Sequence, residues 1–254
     1  MTASISLLVT RPAPQAAALS DALRRHGIEP VEVPAVAIDT TATADALDEM
    51  LATLGGVDWL VLTSANGAQG LVARMRALDR WLPEGVRVAA VGPATAGVLR
   101  AAGLHVDHVP DRYLTVAIAD GLGDVRGRRV VLARADAATP DLHDALVQRG
   151  AEVAEVVAYR TVEGPPDSVA RLRAALGRRL AGATFTSGST VRGLVRLAGA
   201  HDRHRLRGLP AFCIGPVTAA AADRAGFQVA AVADEHTAVG LAGVISTHFA
   251  MEAR

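Results

Sequence analysis

Two short stretches carry the residue types best suited to holding an anion. Gly215-Pro216-Val217-Thr218-Ala219 and Gly92-Pro93-Ala94-Thr95-Ala96 each follow an apolar run and open an Ala-rich helical pattern. A proline suits the first helical position, where its missing N–H costs nothing, and a glycine before it lets a ligand approach the backbone. Such a helix start presents free N–H groups and the positive end of the dipole. Thr95 and Thr218 fall in the first helical turn, where a hydroxyl can cap, bind ligand, or do both. Ser64, within Thr63-Ser64-Ala65-Asn66-Gly67, and the run Thr186-Ser187-Gly188-Ser189-Thr190 also stand where a strand gives way to a helix. Any one of these hydroxyls is equally well explained as a cap. The set of four turns is what points to a ligand.

Tyr159, in Val156-Val157-Ala158-Tyr159-Arg160-Thr161, is one of two tyrosines. Packing on a sheet accounts for it, but a phenol with a reference pKa of about 10 can also serve as a weak acid or hydrogen-bond donor. Cys213 lies inside an apolar strand and reads as a structural thiol. The pairs His105/His108 and His201/His204 lack the carboxylate or Cys partners of a metal site. Arg203, Arg205 and Arg207 read as a solvated loop before a strand. No Walker motif, dinucleotide fingerprint or Gly-x-Ser-x-Gly elbow is present, which weakens ATPase, dehydrogenase and α/β-hydrolase readings.

The elements that must position these residues alternate. Extended runs at 5–10, 31–38, 58–62, 86–91, 106–109 and 130–133 are separated by helical patterns at 16–26, 43–54, 68–78, 93–102 and 115–122. The pattern then starts again with an offset of 123 residues, which takes Arg11 to Arg134, Leu19 to Leu142, Gly27 to Gly150 and Ser64 to Ser187. The same offset takes Gly70 to Gly193, Gly92-Pro93 to Gly215-Pro216, and Thr95 to Thr218. One ungapped register of this kind implies an internal duplication. Strands alternating with helices imply a parallel sheet covered on both faces, so two α/β domains are expected, with ligands beyond the carboxyl ends of the strands.

The 254 residues are half hydrophobic and only 3% aromatic, and the net charge is zero. Neutral balance and scarce aromatics argue against a nucleic-acid binder. All 26 basic residues are Arg. With no Lys, a Schiff-base or Lys-base mechanism is excluded. A single cysteine cannot form an intrachain disulfide, the N-terminus reads as a first strand rather than a signal peptide, and no apolar run approaches the roughly 20 residues of a membrane span. A soluble cytoplasmic protein is expected.

Read in order, these motifs resemble the uroporphyrinogen-III synthase family. The resemblance rests on Val9-Thr10-Arg11-Pro12, Leu60-Val61-Leu62-Thr63-Ser64-Ala65-Asn66-Gly67, Val91-Gly92-Pro93-Ala94-Thr95-Ala96 and Ala158-Tyr159-Arg160-Thr161. It continues through Phe185-Thr186-Ser187, Ile214-Gly215-Pro216-Val217-Thr218-Ala219 and His236-Thr237-Ala238-Val239-Gly240-Leu241. Each motif is short, and their order and spacing carry the specificity. The resemblance implies one discontinuous domain of residues 1–35 and 163–254, a second of 39–158, and linker strands near 34–38 and 156–161. On that arrangement the twin Gly-Pro turns face one cleft from different domains.

The activity implied is the cyclisation of hydroxymethylbilane, a linear tetrapyrrole with eight carboxylates, to uroporphyrinogen III, with inversion of ring D and loss of water. No metal or organic cofactor is implied, and the protein is expected to be a monomer that receives its substrate by transient hand-over from hydroxymethylbilane synthase, with no nucleic-acid or membrane partner. By resemblance Tyr159 assists loss of the hydroxyl, and Ser64, Thr95, Thr186, Ser187, Gly188, Ser189, Gly215, Thr218 and Thr237 contact substrate. The competing reading is a non-catalytic regulatory protein of the same fold that binds a tetrapyrrole or another polyanion. A two-domain solute-binding protein is a further alternative, opposed by the lack of a signal peptide.

Overall fold

The computed structural model describes residues 5–112 and 114–252. The chain begins with β1 (Ser6–Val9), α1 (Ala13–Arg25), β2 (Glu29–Glu32), β3 (Val36–Asp39), α2 (Ala44–Thr53), β4 (Trp59–Leu62) and α3 (Ala65–Ala77). It continues through β5 (Arg87–Ala90), α4 (Pro93–Ala101), α5 (Ile118–Gly121), β6 (Arg129–Ala135), α6 (Asp141–Gln148) and β7 (Glu152–Glu163). The last third holds α7 (Val169–Leu176), β8 (Gly182–Phe185), α8 (Gly188–Ala198), α9 (Arg203–Arg207), β9 (Ala211–Cys213), α10 (Pro216–Arg224), β10 (Val229–Val232) and α11 (Ala238–Glu252). The chain divides into two compact units, Met1–Ala37 with Val162–Arg254, and Ile38–Thr161.

The first unit is built on a sheet ordered β10-β9-β8-β1-β2, in which every pairing is parallel. Alternation along β1 sends Leu8 to one face, with Phe185, Val191 and Leu194, and sends Leu7 and Val9 to the other, with Leu19, Leu23, Phe212, Leu241 and Ile245. Helices therefore cover both faces, which is why β8 is buried at all four positions, Thr184 included.

The second unit uses a sheet ordered β3-β7-β6-β4-β5, with β7, β6, β4 and β5 parallel. In β4, Leu60 and Leu62 pack with Leu47 of α2, Leu71 of α3 and Leu99 of α4. Trp59 and Val61 face the other way, against Ile118, Leu142 and Leu146. Four of the five strands of each sheet correspond. Offsetting β8, β9, β1 and β2 by 123 residues gives β4, β5, β6 and β7, in the same spatial order.

Several elements differ from the sequence expectation. The run 106–109 forms a single bridge, His108 to Ala89, because the Asp107 carboxylate takes the Val88 N–H at 2.8 Å. Arg203–Arg207 is the short helix α9, not a loop, and its arginines donate to the carbonyls of Leu176 and Ala225, which the turns of α7 and α10 leave free. Helix α3 starts three residues before the expected position because Ser64 caps it. The expected linker segment 156–161 lies inside one 12-residue strand, β7, and Tyr159 is part of the second unit. Among the described residues no helix is long and apolar enough to cross a membrane.

Candidate functional site

In the first unit the parallel strands β8, β9 and β10 all deliver their carboxyl ends to one edge of the sheet, and the candidate residues of that unit follow them directly. After β8, Ser187 caps α8. Its Oγ accepts from Thr190 N–H at 3.2 Å, and Thr190 Oγ1 accepts from the Ser187 N–H at 3.2 Å. Ser187 also shares a 2.8 Å hydrogen bond with Ser189. Much of the hydrogen-bonding capacity of this turn is thus spent on the helix start itself. Thr237 plays the same part before α11, accepting from Gly240 N–H at 3.0 Å.

Thr218 behaves differently. It is buried in the first turn of α10, and no side chain caps that helix. Its hydroxyl bonds to no described residue. The first N–H groups of α10 therefore stand outside the intrahelical ladder with an unbonded hydroxyl beside them, an arrangement suited to an oxyanion. Gly215 precedes this helix in extended backbone that any residue can adopt. What restricts the position is space, because an added Cβ would lie 3.0 Å from the His236 ring.

The second unit repeats the arrangement. Ser64 caps α3 by accepting from Gly67 N–H at 3.0 Å, as Ser187 caps α8. Thr95 is buried in the first turn of α4, that helix has no side-chain cap, and its hydroxyl likewise bonds to no described residue. Tyr159 lies on β7, level with Ala135 of β6, and its carbonyl accepts from Asp136 N–H at 3.2 Å. Its ring is 8% exposed and packs with Leu47, Leu71 and the rest of that core, so the packing role weighed for it from sequence is real. The phenol group bonds to no described residue.

Within the first unit the structure thus brings together Thr186, Ser187, Gly188, Ser189, Gly215, Thr218 and Thr237, and within the second Ser64 and Thr95 at neighbouring strand ends. Burial pushes the Cys213 thiol up to about 11, which leaves it protonated and unreactive at neutral pH.

The model of the family described as uroporphyrinogen-III synthase HemD matches residues 17–243. The chain belongs to the uroporphyrinogen-III synthase family. A uroporphyrinogen-III synthase of Synechococcus elongatus is 30% identical over 246 residues, covering 93% of this chain and 92% of that protein. A porphyrin biosynthesis protein HemD of Ruminiclostridium josui is 30% identical over 224 residues, 86% of this chain but 44% of the longer relative. Among solved structures, a mutant uroporphyrinogen III synthase of Thermus thermophilus superposes with a TM-score of 0.66 at 22% identity, covering 98% of this chain and 100% of that one. That likeness shows a shared fold.

Two residues of the first unit's sheet edge were not identified from sequence as site residues. Thr190 completes the α8 cap, and a hydroxyl three positions after the capping Ser187 was a legible signal for it. Arg11 follows β1 at the same edge, and its sequence signals were the register with Arg134 and its place in Val9-Thr10-Arg11-Pro12.

Proposed function

We propose that this protein cyclises hydroxymethylbilane to uroporphyrinogen III. The observation that carries the reading is the pair Thr95 and Thr218, two buried threonines whose hydroxyls are left unbonded at helix starts that no side chain caps. A structural hydroxyl at a helix start would be spent on the helix, as those of Ser64 and Ser187 are. Left free in both units, these groups suit a substrate rich in carboxylates. They also suit a protein that has no Lys with which to bind one.

The chemistry asks little more than positioning. Pyrrole nitrogen of the substrate pushes out the hydroxyl of the hydroxymethyl group, and the Tyr159 phenol donates to that oxygen as it leaves as water. The proton released when the macrocycle closes restores the phenol. Holding the chain ends in register and stabilising the departing oxygen supplies the acceleration, with donors already in place. The two units are copies of one ancestral half in this reading, each carrying a helix start without a side-chain cap and a serine-capped turn.

The test is product analysis after incubation with freshly generated hydroxymethylbilane. Isomer III in excess is expected. Isomer I alone, the spontaneous product, would leave a binding protein as the better account.

A further inference from the structure

Arg11 stands at the end of β1, and its backbone is held from both sides. Thr10 O accepts from Ala35 N–H at 3.0 Å, Thr10 Oγ1 donates to Thr184 O at 2.6 Å, and Thr184 Oγ1 donates to Leu8 O at 2.9 Å. The β1–β8 register pairs Val9 with Thr184, and continuing it sets Arg11 level with Thr186. The Arg11 backbone therefore stands at the strand edge from which the Thr186–Ser189 turn also leaves.

Its Nε is sealed from solvent and has no hydrogen-bond partner, and among the described residues no carboxylate lies within ion-pair distance of Arg11. Burial also draws its proton affinity below that of an ordinary arginine. An arginine presents five donors in a fixed fork, and leaving a buried donor without an acceptor costs free energy.

The second unit shows what a structural arginine does at this position. Arg134, 123 residues on, is buried and donates to Glu155 Oε1 at 2.8 Å and to the Thr139 carbonyl. The residue that corresponds to Glu155 in the first unit is Glu32, so the partner carboxylate exists in the sequence. It is engaged elsewhere, by Ser20 Oγ at 2.6 Å. One unit neutralises its strand-end arginine. The other keeps the arginine and diverts the carboxylate.

We propose that Arg11 is a substrate-binding residue whose unpaired guanidinium receives a carboxylate of the tetrapyrrole at the carboxyl edge of the first unit's sheet. The assignment rests on the proposed tetrapyrrole chemistry but adds a charged contact to a set otherwise made of hydroxyls and backbone N–H groups. Arg presents a planar fork that matches a carboxylate in a bidentate way.

The Arg11→Met variant keeps the apolar stem and removes the charge. Its KM for hydroxymethylbilane is expected to rise about tenfold to a hundredfold, roughly the worth of a charged hydrogen bond, with kcat changed by less than about threefold. Because Arg11 has no partner to orphan, the melting temperature should equal or exceed that of wild type. Arg11→Lys should recover part of the lost KM. A KM within twofold of wild type, or a variant that melts well below it or fails to fold, overturns the assignment. Uroporphyrin III, an octacarboxylate, tests the site without turnover through the rise in melting temperature it causes. A clear rise for wild type and a much smaller one for Arg11→Met is expected. Equal rises, or none in wild type, overturn the assignment. Wild-type protein that yields only isomer I while still showing the Arg11-dependent rise would refute the reaction and keep the binding site.

Discussion

The substitution Gly193→Ala tests how tightly the first unit is locked where its chain passes α8. An added Cβ on Gly193 would lie 2.0 Å from the Ala35 carbonyl oxygen, 2.9 Å from its carbon and 3.2 Å from Gly164 N. All three atoms are backbone, and that carbonyl accepts the Gly164 N–H at 2.8 Å, so no flexible side chain can give way. Relief needs a backbone shift of about 1 Å, and overpacking of this kind costs about 1–3 kcal/mol. Loss of the Gly164–Ala35 hydrogen bond adds about 1 kcal/mol, while the helix gains about 0.5–1 kcal/mol from alanine. The net is a destabilisation of about 1–3.5 kcal/mol, or roughly 3–12 °C in melting temperature for a unit of this size. The twin position is the control. An added Cβ on Gly70 would stand 3.2 Å from the Ala158 carbonyl oxygen and 3.4 Å from the Thr40 methyl, so Gly70→Ala should fall within about 1 kcal/mol of wild type. Calorimetric melting of both variants is the assay. A Gly193→Ala protein that melts within a degree of wild type, or one no less stable than Gly70→Ala, would refute the reasoning.

Tyr159→Phe keeps the ring in its core and removes only the phenol oxygen, so melting should be unchanged while formation of isomer III slows by about a hundredfold; wild-type turnover would remove Tyr159 from the mechanism. Thr218→Val and Thr95→Val remove hydroxyls that bond to nothing described in the fold, so thermal melting should hold within about 1 kcal/mol while kcat/KM falls about tenfold or more. An unchanged kcat/KM would mean that these hydroxyls serve no ligand. Asp58 accepts the Arg129 N–H and an Arg128 donor, each at 2.9 Å, and the Arg129 amide, ahead of the Arg128 charge, holds its carboxyl below the usual carboxylate range. A depressed carboxylate stabilises fully above its unfolded value, near 4, and loses that contribution as pH falls through the lower folded value. Asp58→Asn should therefore melt a few degrees lower at pH 7, and the difference from wild type should shrink between about pH 4 and pH 2; a difference that stays constant with pH would place the effect elsewhere.

Much of the fold was legible because parallel sheets write themselves plainly. Trp59–Leu62 is an apolar run too short for a helix and is buried at every position, as Gly182–Phe185 is with Thr184 its one polar residue. Where the reading failed, a side chain had displaced the backbone. The Asp107 carboxylate takes a donor that a strand at 106–109 would use, and the Ser64 hydroxyl draws the start of α3 back to Ala65. The site was legible as a set of positions, not as a division of labour. From sequence, Ser64, Ser187, Thr95 and Thr218 are alike, hydroxyls at helix starts. Only the geometry separates the two serines, whose oxygens are committed to caps, from the two threonines, whose oxygens are not.

The same separation explains why a repeated sequence need not be a repeated function. The 123-residue register preserves the features that build a sheet edge: a strand-end arginine, a capping serine, a Gly-Pro helix start, and a glycine facing a neighbouring carbonyl at Gly70 and Gly193. It does not preserve who bonds to whom. Arg134 is bound to Glu155, and a Cβ on Gly70 would be tight but not clashing, 3.2 Å from the Ala158 carbonyl oxygen. In the first unit Arg11 has no such partner, Glu32 answers to Ser20, and Gly193 has no room at all. A half-buried cation without an acceptor is a cost that the fold could have removed by the pairing it uses in its own second unit. That the cost is kept in the unit richer in hydroxyls at its strand ends is the structural reason to place the proposed charged contact there.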